Sequence, residues 1–216
     1  MTNGVNVAFI PVRGGSKSIP LKNIKPICGK PLVYWTLKAA CDCKYIDKVY
    51  VATDSQKIKD TINSFKIGKE SHLFAKVEVI DRSKESASDT ASTEFVMIEF
   101  AEKYPFDNII LIQATSPLLQ SSDLDRGMEA YKDAEIDSVI SVVRQKRFNW
   151  QIGKNGYAHP INYNLFNRPR RQDFDGYMVE NGAFYITSKE NLLKNKNRVS
   201  GNIKAVEMSE DSFFEI

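Results

Sequence analysis

The stretch from Val5 to Asn23 reads VNVAFIPVRGGSKSIPLKN, and it is the strongest indication of the fold in this sequence. Its apolar half, Val5–Val12, predicts a buried β-strand, and a helix is predicted to begin near Pro31. Between the two lies a loop with the glycine pair Gly14-Gly15. Glycine lets backbone N–H groups approach an anion, and many α/β proteins hold phosphates in the loop after the first strand. The stretch therefore predicts an α/β fold with an anion site at this loop.

The same loop carries three cations, Arg13, Lys17 and Lys22, within one short turn. This concentration of positive charge favours a triphosphate over a single phosphate. The Walker A spacing G-x-x-x-x-G-K-[ST] is absent, and so is the dinucleotide fingerprint G-x-G-x-x-G. An ordinary basic surface turn is the alternative, but the coincidence of strand, glycines and cations disfavours it.

The composition is that of a globular protein, with 216 residues and a formal net charge of +3. The length favours a single domain, 1–216, with a substantial core, and the small charge does not indicate nucleic-acid binding. No apolar segment is long enough to span a membrane, and no signal peptide is visible. Three cysteines, an odd number, favour reduced thiols and a cytoplasmic location. Cys41-Asp42-Cys43 is too sparse for a zinc site.

Strands and helices alternate through the first two-thirds of the chain. The predicted strands are Val5–Val12, Val49–Thr53, Val77–Ile80, Asn108–Gln113 and Ser138–Val143. The predicted helices are Pro31–Ala40, Ser55 to about Phe65, Ser92–Lys103, and a helix capped by Ser121 or Ser122 that ends at Ala134. This rhythm predicts a doubly wound, mostly parallel sheet of the α/β class. Such sheets bind ligands at the C-terminal strand ends, so Thr53-Asp54, Arg82 and Gln113 are expected on the same edge as the loop after Val12.

The alternation breaks after Arg144. The region near 145–178 is rich in Gly, Asn, Pro and Arg, which predicts an insertion or arm. Strands are predicted to resume over Ala183–Thr187 and Ile203–Met208.

Three polar motifs are candidate sites. Gln113 begins Gln-Ala-Thr-Ser-Pro at a strand end and can bond a base edge or a sugar hydroxyl, although a plain strand-to-helix turn explains the motif equally. The hydroxyl-rich run Arg82–Thr93 suits a ribose or a base, but an exposed loop with a helix cap is the favoured interpretation. Arg170-Arg171-Gln172-Asp173 and Glu180-Asn181-Gly182-Ala183 together favour an anion site, because an arginine fork matches a carboxylate.

These motifs, in this order, resemble the acylneuraminate cytidylyltransferases, the CMP-N-acetylneuraminic acid synthetases. The resemblance rests on the segments Arg13–Asn23, Gln113–Pro117, Ser141–Arg144, Arg170–Gly176 and Glu180–Tyr185. It implies a Rossmann-like nucleotidyltransferase fold with a small dimerisation arm. It also implies transfer of CMP from CTP to the anomeric hydroxyl of a nine-carbon 2-keto sugar acid, most simply N-acetylneuraminate, with release of pyrophosphate.

The resemblance also assigns site residues. The implied nucleotide contacts are Arg13, Gly14, Gly15, Ser16, Lys17, Lys22, Asn23, Arg82, Thr90 and Ser92. The implied sugar-acid contacts are Gln113, Arg171, Asn181 and Tyr185, and the implied catalytic residues are Arg171 and Lys22. The family further implies Mg²⁺, the substrates CTP and a 2-keto sugar acid, and a homodimer in which the arm 145–178 completes the neighbouring site. Cations and a metal would supply the catalysis, because the sugar hydroxyl is itself the nucleophile.

The implied metal ligand lies near the end of the sequence. The family places two aspartates, spaced Asp-x-Asp, after its last strand. Here Glu215 stands at the first acidic position, and the second would fall just past Ile216. A carboxylate suits Mg²⁺, so Glu215 is the expected ligand.

Three alternatives remain open at the level of sequence. The acceptor can be a related keto acid, namely legionaminate, pseudaminate, KDN or the eight-carbon KDO, and Arg147–Asn167 is expected to select among them. A nucleotide-sugar glycosyltransferase would place Asp-x-Asp after a central strand. Asp123-Leu124-Asp125 and Asp173-Phe174-Asp175 have this spacing, but neither directly follows such a strand. The third alternative is a non-catalytic nucleotide sensor.

Overall fold

The computed structural model describes residues 4–15, 19–214 and 216. The strands in these residues are β1 (Asn6–Pro11), β2 (Pro26–Ile27), β3 (Lys30–Pro31), β4 (Lys48–Thr53), β5 (Val77–Asp81), β6 (Asn108–Ile112), β7 (Ser138–Gln145), β8 (Trp150–Ile152), β9 (Ala158–Pro160), β10 (Tyr177–Ser188) and β11 (Ile203–Met208). The α-helices are α1 (Leu32–Asp42), α2 (Gln56–Ser64), α3 (Thr93–Lys103), α4 (Ser121–Tyr131) and α5 (Lys189–Asn195). Within the described ranges, no helix combines the length and the apolar character that crossing a membrane requires.

The main sheet has seven strands in the order β11-β7-β10-β6-β1-β4-β5. Strand β1 pairs in parallel with β4 and β6, β4 pairs in parallel with β5, and β11 pairs in parallel with β7. Strand β10 runs antiparallel to both of its neighbours, β6 and β7. The predicted doubly wound, mostly parallel sheet is confirmed. The helices supply the crossover connections that parallel strands require.

The two faces of the sheet carry separate apolar cores. Helices α1, α2 and α4 cover one face, where Leu37, Ile58 and Met128 pack. Helices α3 and α5 cover the other face, where Phe100 and Leu192 pack. Burial from both sides explains the continuous apolar runs of the central strands, and every residue of β6 is buried.

Strand β10 is the main departure from the predicted elements. It spans Tyr177–Ser188 and therefore begins well before Ala183, the predicted start. Its pairing with β7 shifts in register between Glu180 and Tyr185. An irregular and partly exposed beginning lacks the continuous apolar run by which a buried strand is detected.

Helix α4 differs from prediction in its cap and in its end. The N-cap residue is Gln120, whose main-chain N donates a hydrogen bond to Asp123 Oδ2 at 3.0 Å. The carboxylate of the first turn therefore closes the helix start, in place of a serine hydroxyl. The helix ends at Tyr131 rather than at Ala134.

Between β7 and β10 the segment 146–176 leaves the main sheet. It contains the small antiparallel sheet of β8 and β9. Phe148 packs against Tyr163 and Phe174, with ring centroids 4.6 and 5.0 Å apart respectively. The chain returns through Gly176, whose φ is +76°, and a Cβ there would lie 2.5 Å from Gln145 O, so a side chain would be strained at this position. The predicted bounds 145–178 and the role of this segment as an arm stay predictions.

Candidate functional site

A cleft of about 330 Å³ lies at the C-terminal edge of the sheet. The end of β1 and its following loop, the loop before α3, the first turn of α3 and the residues after β6 form its walls. The lining residues are Pro11, Arg13, Lys22, Asn23, Arg82, Ser88, Asp89, Ala91, Ser92, Thr93, Val96, Gln113, Ala114 and Thr115. The predicted edge of the sheet is therefore the edge that carries the cleft.

The loop after β1 is attached to the end of β4. Gly14 N donates a hydrogen bond to Asp54 Oδ1 at 2.9 Å. A Cβ on Gly14 would lie 2.8 Å from the Cβ of Ser55, so this close approach favours glycine. Gly15 is exposed, and a Cβ there would meet open space. The first glycine thus fixes the loop, whereas the second leaves its backbone accessible.

Arg13 extends from the end of β1 into the cleft. Its Nη1 donates a hydrogen bond to Asp89 Oδ1 at 2.8 Å, and both side chains are partly exposed. The buried side chain of Asn23 donates from Nδ2 to the main-chain oxygen of Arg13 at 3.3 Å. Asn23 therefore supports the backbone from which Arg13 projects.

Lys22 begins a short 3₁₀-helix, Lys22–Ile24, at the margin of the cleft. Its Nζ donates a hydrogen bond to Ile216 O at 2.6 Å. Ile216 N in turn donates to Thr115 O at 3.1 Å. The ammonium group therefore lies near the residues that follow β6.

Arg82 lies just beyond β5 and is partly buried. Its Nη2 donates a hydrogen bond to Ser86 O, and its buried Nε has no hydrogen-bond partner among the residues that the structure describes. Burial lowers the pKa of the Arg82 guanidinium, and the Asp54 carboxylate opposes that change. The group stays protonated because arginine begins from so high a pKa. A buried donor without a partner is suited to an acceptor on a ligand.

Of the remaining predicted contact residues, Ser92 and Gln113 line the cleft, whereas Thr90 does not. Ser92 caps α3, since its Oγ accepts a hydrogen bond from Phe95 N at 3.1 Å, and it lines the cleft. Thr90 is exposed, with its Oγ1 3.4 Å from Ser88 Oγ, and it lines an adjoining hollow instead. Gln113 is half-buried directly after β6 and lines the cleft.

The favoured interpretation of Arg82–Thr93, an exposed loop with a helix cap, is confirmed: the run contains turns, many of its residues are exposed, and Ser92 caps α3. Several of its residues also line the cleft, and sequence reasoning missed Asp89 and Thr93 among them. An acid within a hydroxyl-rich run was the available signal for Asp89. Its partner Arg13 is remote in sequence, so the pairing could not be predicted.

Three residues assigned to the sugar acid are not among the cleft-lining residues. Asn181 is buried, and its Nδ2 donates a hydrogen bond to Ser212 O at 3.1 Å, so it holds the segment after β11. Tyr185 packs in the core on the α3 side, and burial raises the pKa of its hydroxyl to about 12. Arg171 is exposed in a 3₁₀-helix, Arg171–Asp173. Their contacts with a sugar acid stay predictions.

Ser16, Lys17 and Glu215 lie outside the described residues, and their assigned contacts also stay predictions. Among the residues that the structure does describe, no three His, Cys, Asp or Glu side chains come together as a metal site.

The two Asp-x-Asp motifs have structural partners away from the cleft. Asp123 closes the first turn of α4, and Asp125 Oδ1 accepts a hydrogen bond from Lys44 N at 3.2 Å. Asp173 Oδ2 accepts from Arg170 Nε at 2.7 Å. None of these carboxylates lines the cleft, so they do not form the metal site that a glycosyltransferase would need.

The cleft concentrates positive charge. Among the described residues, Arg13, Lys22 and Arg82 contribute three cations to the lining, against the one carboxylate of Asp89. The first turn of α3 adds the positive end of a helix dipole. This arrangement can bind a polyanion and stabilise negative charge that develops on phosphoryl oxygens.

Comparison with known proteins agrees with this chemistry. A family model described as cytidylyltransferase matches residues 7–212. An N-acylneuraminate cytidylyltransferase of Oncorhynchus mykiss is 42% identical over 189 residues, which cover 86% of this chain and 41% of that protein. A CMP-N,N'-diacetyllegionaminic acid synthase of Legionella pneumophila is 29% identical over 202 residues, which cover 88% of this chain and 81% of that protein. The chain spans less than half the length of several curated N-acylneuraminate cytidylyltransferases that it matches.

A solved structure shares the fold. It is that of CMP:2-keto-3-deoxy-manno-octonic acid synthetase complexed with CTP, with a TM-score of 0.69 and 18% identity. The match covers 95% of this chain and 90% of that one. At this identity the likeness concerns the fold alone.

Proposed function

Because the chain belongs to the cytidylyltransferase family, we propose that it transfers CMP from CTP to the anomeric hydroxyl of a nine-carbon 2-keto sugar acid. N-acetylneuraminate is the first candidate, in keeping with the names of its curated relatives. The observation that carries the proposal is the convergence of Arg13, Lys22 and Arg82 in one cleft at the ligand-binding edge of the sheet.

The proposed reaction needs stabilisation of phosphoryl charge rather than a nucleophilic side chain. The sugar hydroxyl oxygen attacks the α-phosphorus and forms a new P–O bond. The bond from the α-phosphorus to the bridging oxygen breaks, pyrophosphate leaves with the electron pair, and the hydroxyl proton passes to solvent. Arg13 and Lys22 neutralise the triphosphate and the departing pyrophosphate, which lowers the barrier.

The remaining cleft residues suit the organic parts of the substrates. The buried Nε of Arg82 and the hydroxyl of Ser92 are proposed to hold the cytidine side of CTP. The Gln113 amide, which can both donate and accept, is proposed to contact the sugar acid.

Mg²⁺ is proposed to enter with the triphosphate. This ion usually takes one or two protein carboxylates and fills its other positions with phosphate oxygens and water. Glu215 is the candidate ligand from the sequence, and Asp89 is a further carboxylate on the wall of the cleft. This donor set fits sparse coordination of that kind, although the described residues form no metal cage. When bound, the ion would neutralise charge on the phosphates.

A homodimer is proposed from the position of Arg171. This residue is exposed in the segment 146–176 and does not line the cleft of its own chain. The segment also contains three large apolar residues with high relative solvent exposure: Ile152 (70%), Tyr157 (76%) and Phe166 (97%). Large apolar side chains favour burial in an interface. The segment is therefore proposed to bring Arg171 to the cleft of a second copy, where the guanidinium pairs with the substrate carboxylate.

A cytoplasmic location is proposed from the cysteines. Cys28, Cys41 and Cys43 are all free thiols, which a reducing compartment maintains.

A related keto acid is the second candidate acceptor. The Legionella relative is named for N,N'-diacetyllegionaminic acid and matches most of both chains. KDO, pseudaminate and KDN carry the same 2-keto acid group. The segment Arg147–Asn167 is proposed to discriminate among them.

Pyrophosphate release tests the proposed function. The protein is incubated with CTP, Mg²⁺ and N-acetylneuraminate, and release is expected only when all three are present. Parallel reactions with the other keto acids rank the acceptors. A reaction with UTP in place of CTP tests whether the protein is specific for the cytosine base. Binding of CTP without release, with every keto acid of the panel, would contradict the enzyme proposal and favour a nucleotide sensor.

A further inference from the structure

An ion pair holds the first turn of α3 from outside the cleft. Glu94 belongs to that turn, and its Oε1 forms an ion pair with Arg198 Nη1 at 3.0 Å. Only 26% of the Glu94 side chain and 23% of the Arg198 side chain are exposed. Ser92 and Thr93, which begin the same helix, line the cleft. A shift of Glu94 would therefore also move Ser92 and Thr93, which form part of the wall of the cleft.

Arg198 is oriented by an aromatic ring. Its guanidinium carbon lies 4.5 Å from the ring centroid of Tyr185, which is buried in β10. The Tyr185 hydroxyl donates a hydrogen bond to Glu180 Oε1 at 3.0 Å, and this bond fixes the ring. A planar guanidinium can stack on the ring and bond a carboxylate at its edge at the same time.

The loop that carries Arg198 is anchored to the main sheet. Ser200 N donates a hydrogen bond to Ser138 Oγ at 2.9 Å, at the first residue of β7. Asn202 N donates to Asp137 Oδ2 at 2.7 Å. Arg198 therefore connects a part of the chain held by the sheet to the first turn of α3.

The loop that precedes the turn has an ion pair of its own, between Asp89 and Arg13, and both of these residues line the cleft. Residues 82–92 contain turns but no helix or strand. The Ser92 cap bonds within α3 itself, to Phe95 N, and so does not tie the helix to its surroundings. Among the residues that the structure describes, the ion pair made by the first turn itself is the one between Glu94 and Arg198.

We propose that Arg198 is a positioning residue for nucleotide binding, which holds Ser92 and Thr93 in place through Glu94 without touching the nucleotide. The identity of the ligand rests on the proposed function. Loss of Arg198 would leave Glu94 without this partner and would free the turn. Binding of CTP would then weaken, whereas the chemical step and the affinity for the keto acid would be preserved.

The test compares Arg198→Met, Arg198→Lys and Glu94→Gln with the double variant Glu94→Gln/Arg198→Met. Calorimetry measures the Kd for CTP, and steady-state kinetics measure kcat and both KM values. Arg198→Met is expected to raise the Kd and KM for CTP about tenfold, an effect between those typical of exposed and of buried ion pairs. The kcat and the KM of the keto acid are expected to change less than about twofold.

The other variants show whether Arg198 acts through Glu94. Glu94→Gln is expected to weaken CTP binding like Arg198→Met, and the double variant no more than either. Arg198→Lys, which keeps the charge but not the planar fork, is expected to be intermediate. Lys103→Met is the matched control, because it removes another ion pair of α3, to Glu99, at the far end of the helix. It is expected to leave the CTP constants unchanged.

Several outcomes would overturn the inference. One is an active wild-type protein whose affinity for CTP is unchanged by Arg198→Met and by Glu94→Gln. A second is a rise in the KM of the keto acid alone, because Arg198 would then contact that substrate. If Arg198→Met does not fold, Arg198→Lys and Glu94→Gln decide the question. A wild-type protein that binds no CTP refutes the proposed function first, and the positioning role with it.

Discussion

The cleft and the segment 146–176 differ in how their residues are held. The cleft residues Arg13, Arg82 and Gln113 follow the ends of three strands of the main sheet, so the fold itself brings them together. The segment 146–176 is held by its own small sheet and an aromatic cluster, and it exposes large apolar side chains. We propose that the two regions have different roles. The edge of the main sheet binds the nucleotide and its phosphates, and the exposed segment contacts the second substrate and the second copy.

The largest effect is expected in the cleft. Lys22→Ala removes an ammonium from the proposed triphosphate site and should lower kcat/KM on the order of 100-fold, while the protein stays folded. Lys25→Ala is the matched control, because Lys25 is exposed on the same loop and does not line the cleft. Pyrophosphate release and circular dichroism measure the two outcomes. Equal activity of the two variants would refute the role of Lys22.

In the segment 146–176, a smaller effect is expected, and it concerns the KM of the keto acid rather than that of CTP. Arg171→Ala should raise the KM of the keto acid about tenfold and leave the KM of CTP unchanged, because the lost contact is to the carboxylate alone. Arg170→Ala is the control, since Arg170 already pairs with Asp173 Oδ2 at 2.7 Å. Steady-state kinetics with each substrate varied measure both constants. An equal rise in the KM of CTP would contradict the division between the two regions.

Within the segment 146–176, replacement of glycine by alanine should destabilise the protein more at Gly176, beside the main sheet, than at Gly156. Gly176→Ala should lower the free energy of unfolding by about 1–3 kcal/mol, because φ is +76° and the new Cβ would clash with Gln145 O. Gly156→Ala has a similar φ of +80° but meets open space, so a cost of about 1 kcal/mol is expected. Urea unfolding of both variants measures the difference. Equal costs would show that the close contact at the base does not matter.

The smallest expected effect is a change in the pH dependence of stability, caused by Tyr185, whose ring stacks against Arg198. The folded pKa of Tyr185 is raised from 10 to about 12, first because of burial and then because its hydroxyl donates to Glu180. The protonated Tyr185 hydroxyl therefore contributes to the free energy of unfolding. This contribution is fully present below pH 10 and is lost as the pH rises toward 12. Tyr185→Phe should therefore lose less stability than the wild type over this range. Urea unfolding at stepped pH measures it, and parallel curves for the two proteins would contradict the shift.

Much of the fold could be predicted because buried parallel strands leave continuous apolar runs. Strands such as Asn6–Pro11 and Asn108–Ile112 lie close to their predicted bounds, and the rule for strand ends placed Arg13 and Gln113 on one edge. The antiparallel strand Tyr177–Ser188 could not be predicted in full, because its direction and register are set by pairing with strands distant in sequence.

The candidate site was less predictable where it depends on contacts between distant residues. Nothing in the sequence couples Arg13 to Asp89, yet the pair lies in the cleft. The bond from Asn181 to Ser212 O likewise depends on how the segment after the last strand packs. Tyr185 matched a motif, but the strand turns its side chain into the core rather than toward the cleft.

The central claim is that the cleft holds the triphosphate of CTP between Arg13 and Lys22. A crystal structure of the protein with bound CTP tests it most directly. The account predicts phosphate oxygens within hydrogen-bond distance of the Arg13 guanidinium and of Lys22 Nζ, with the Arg82 Nε bonded on the cytidine side. A triphosphate bound elsewhere on the protein, with Arg13 and Lys22 making no contact to it, would contradict the account.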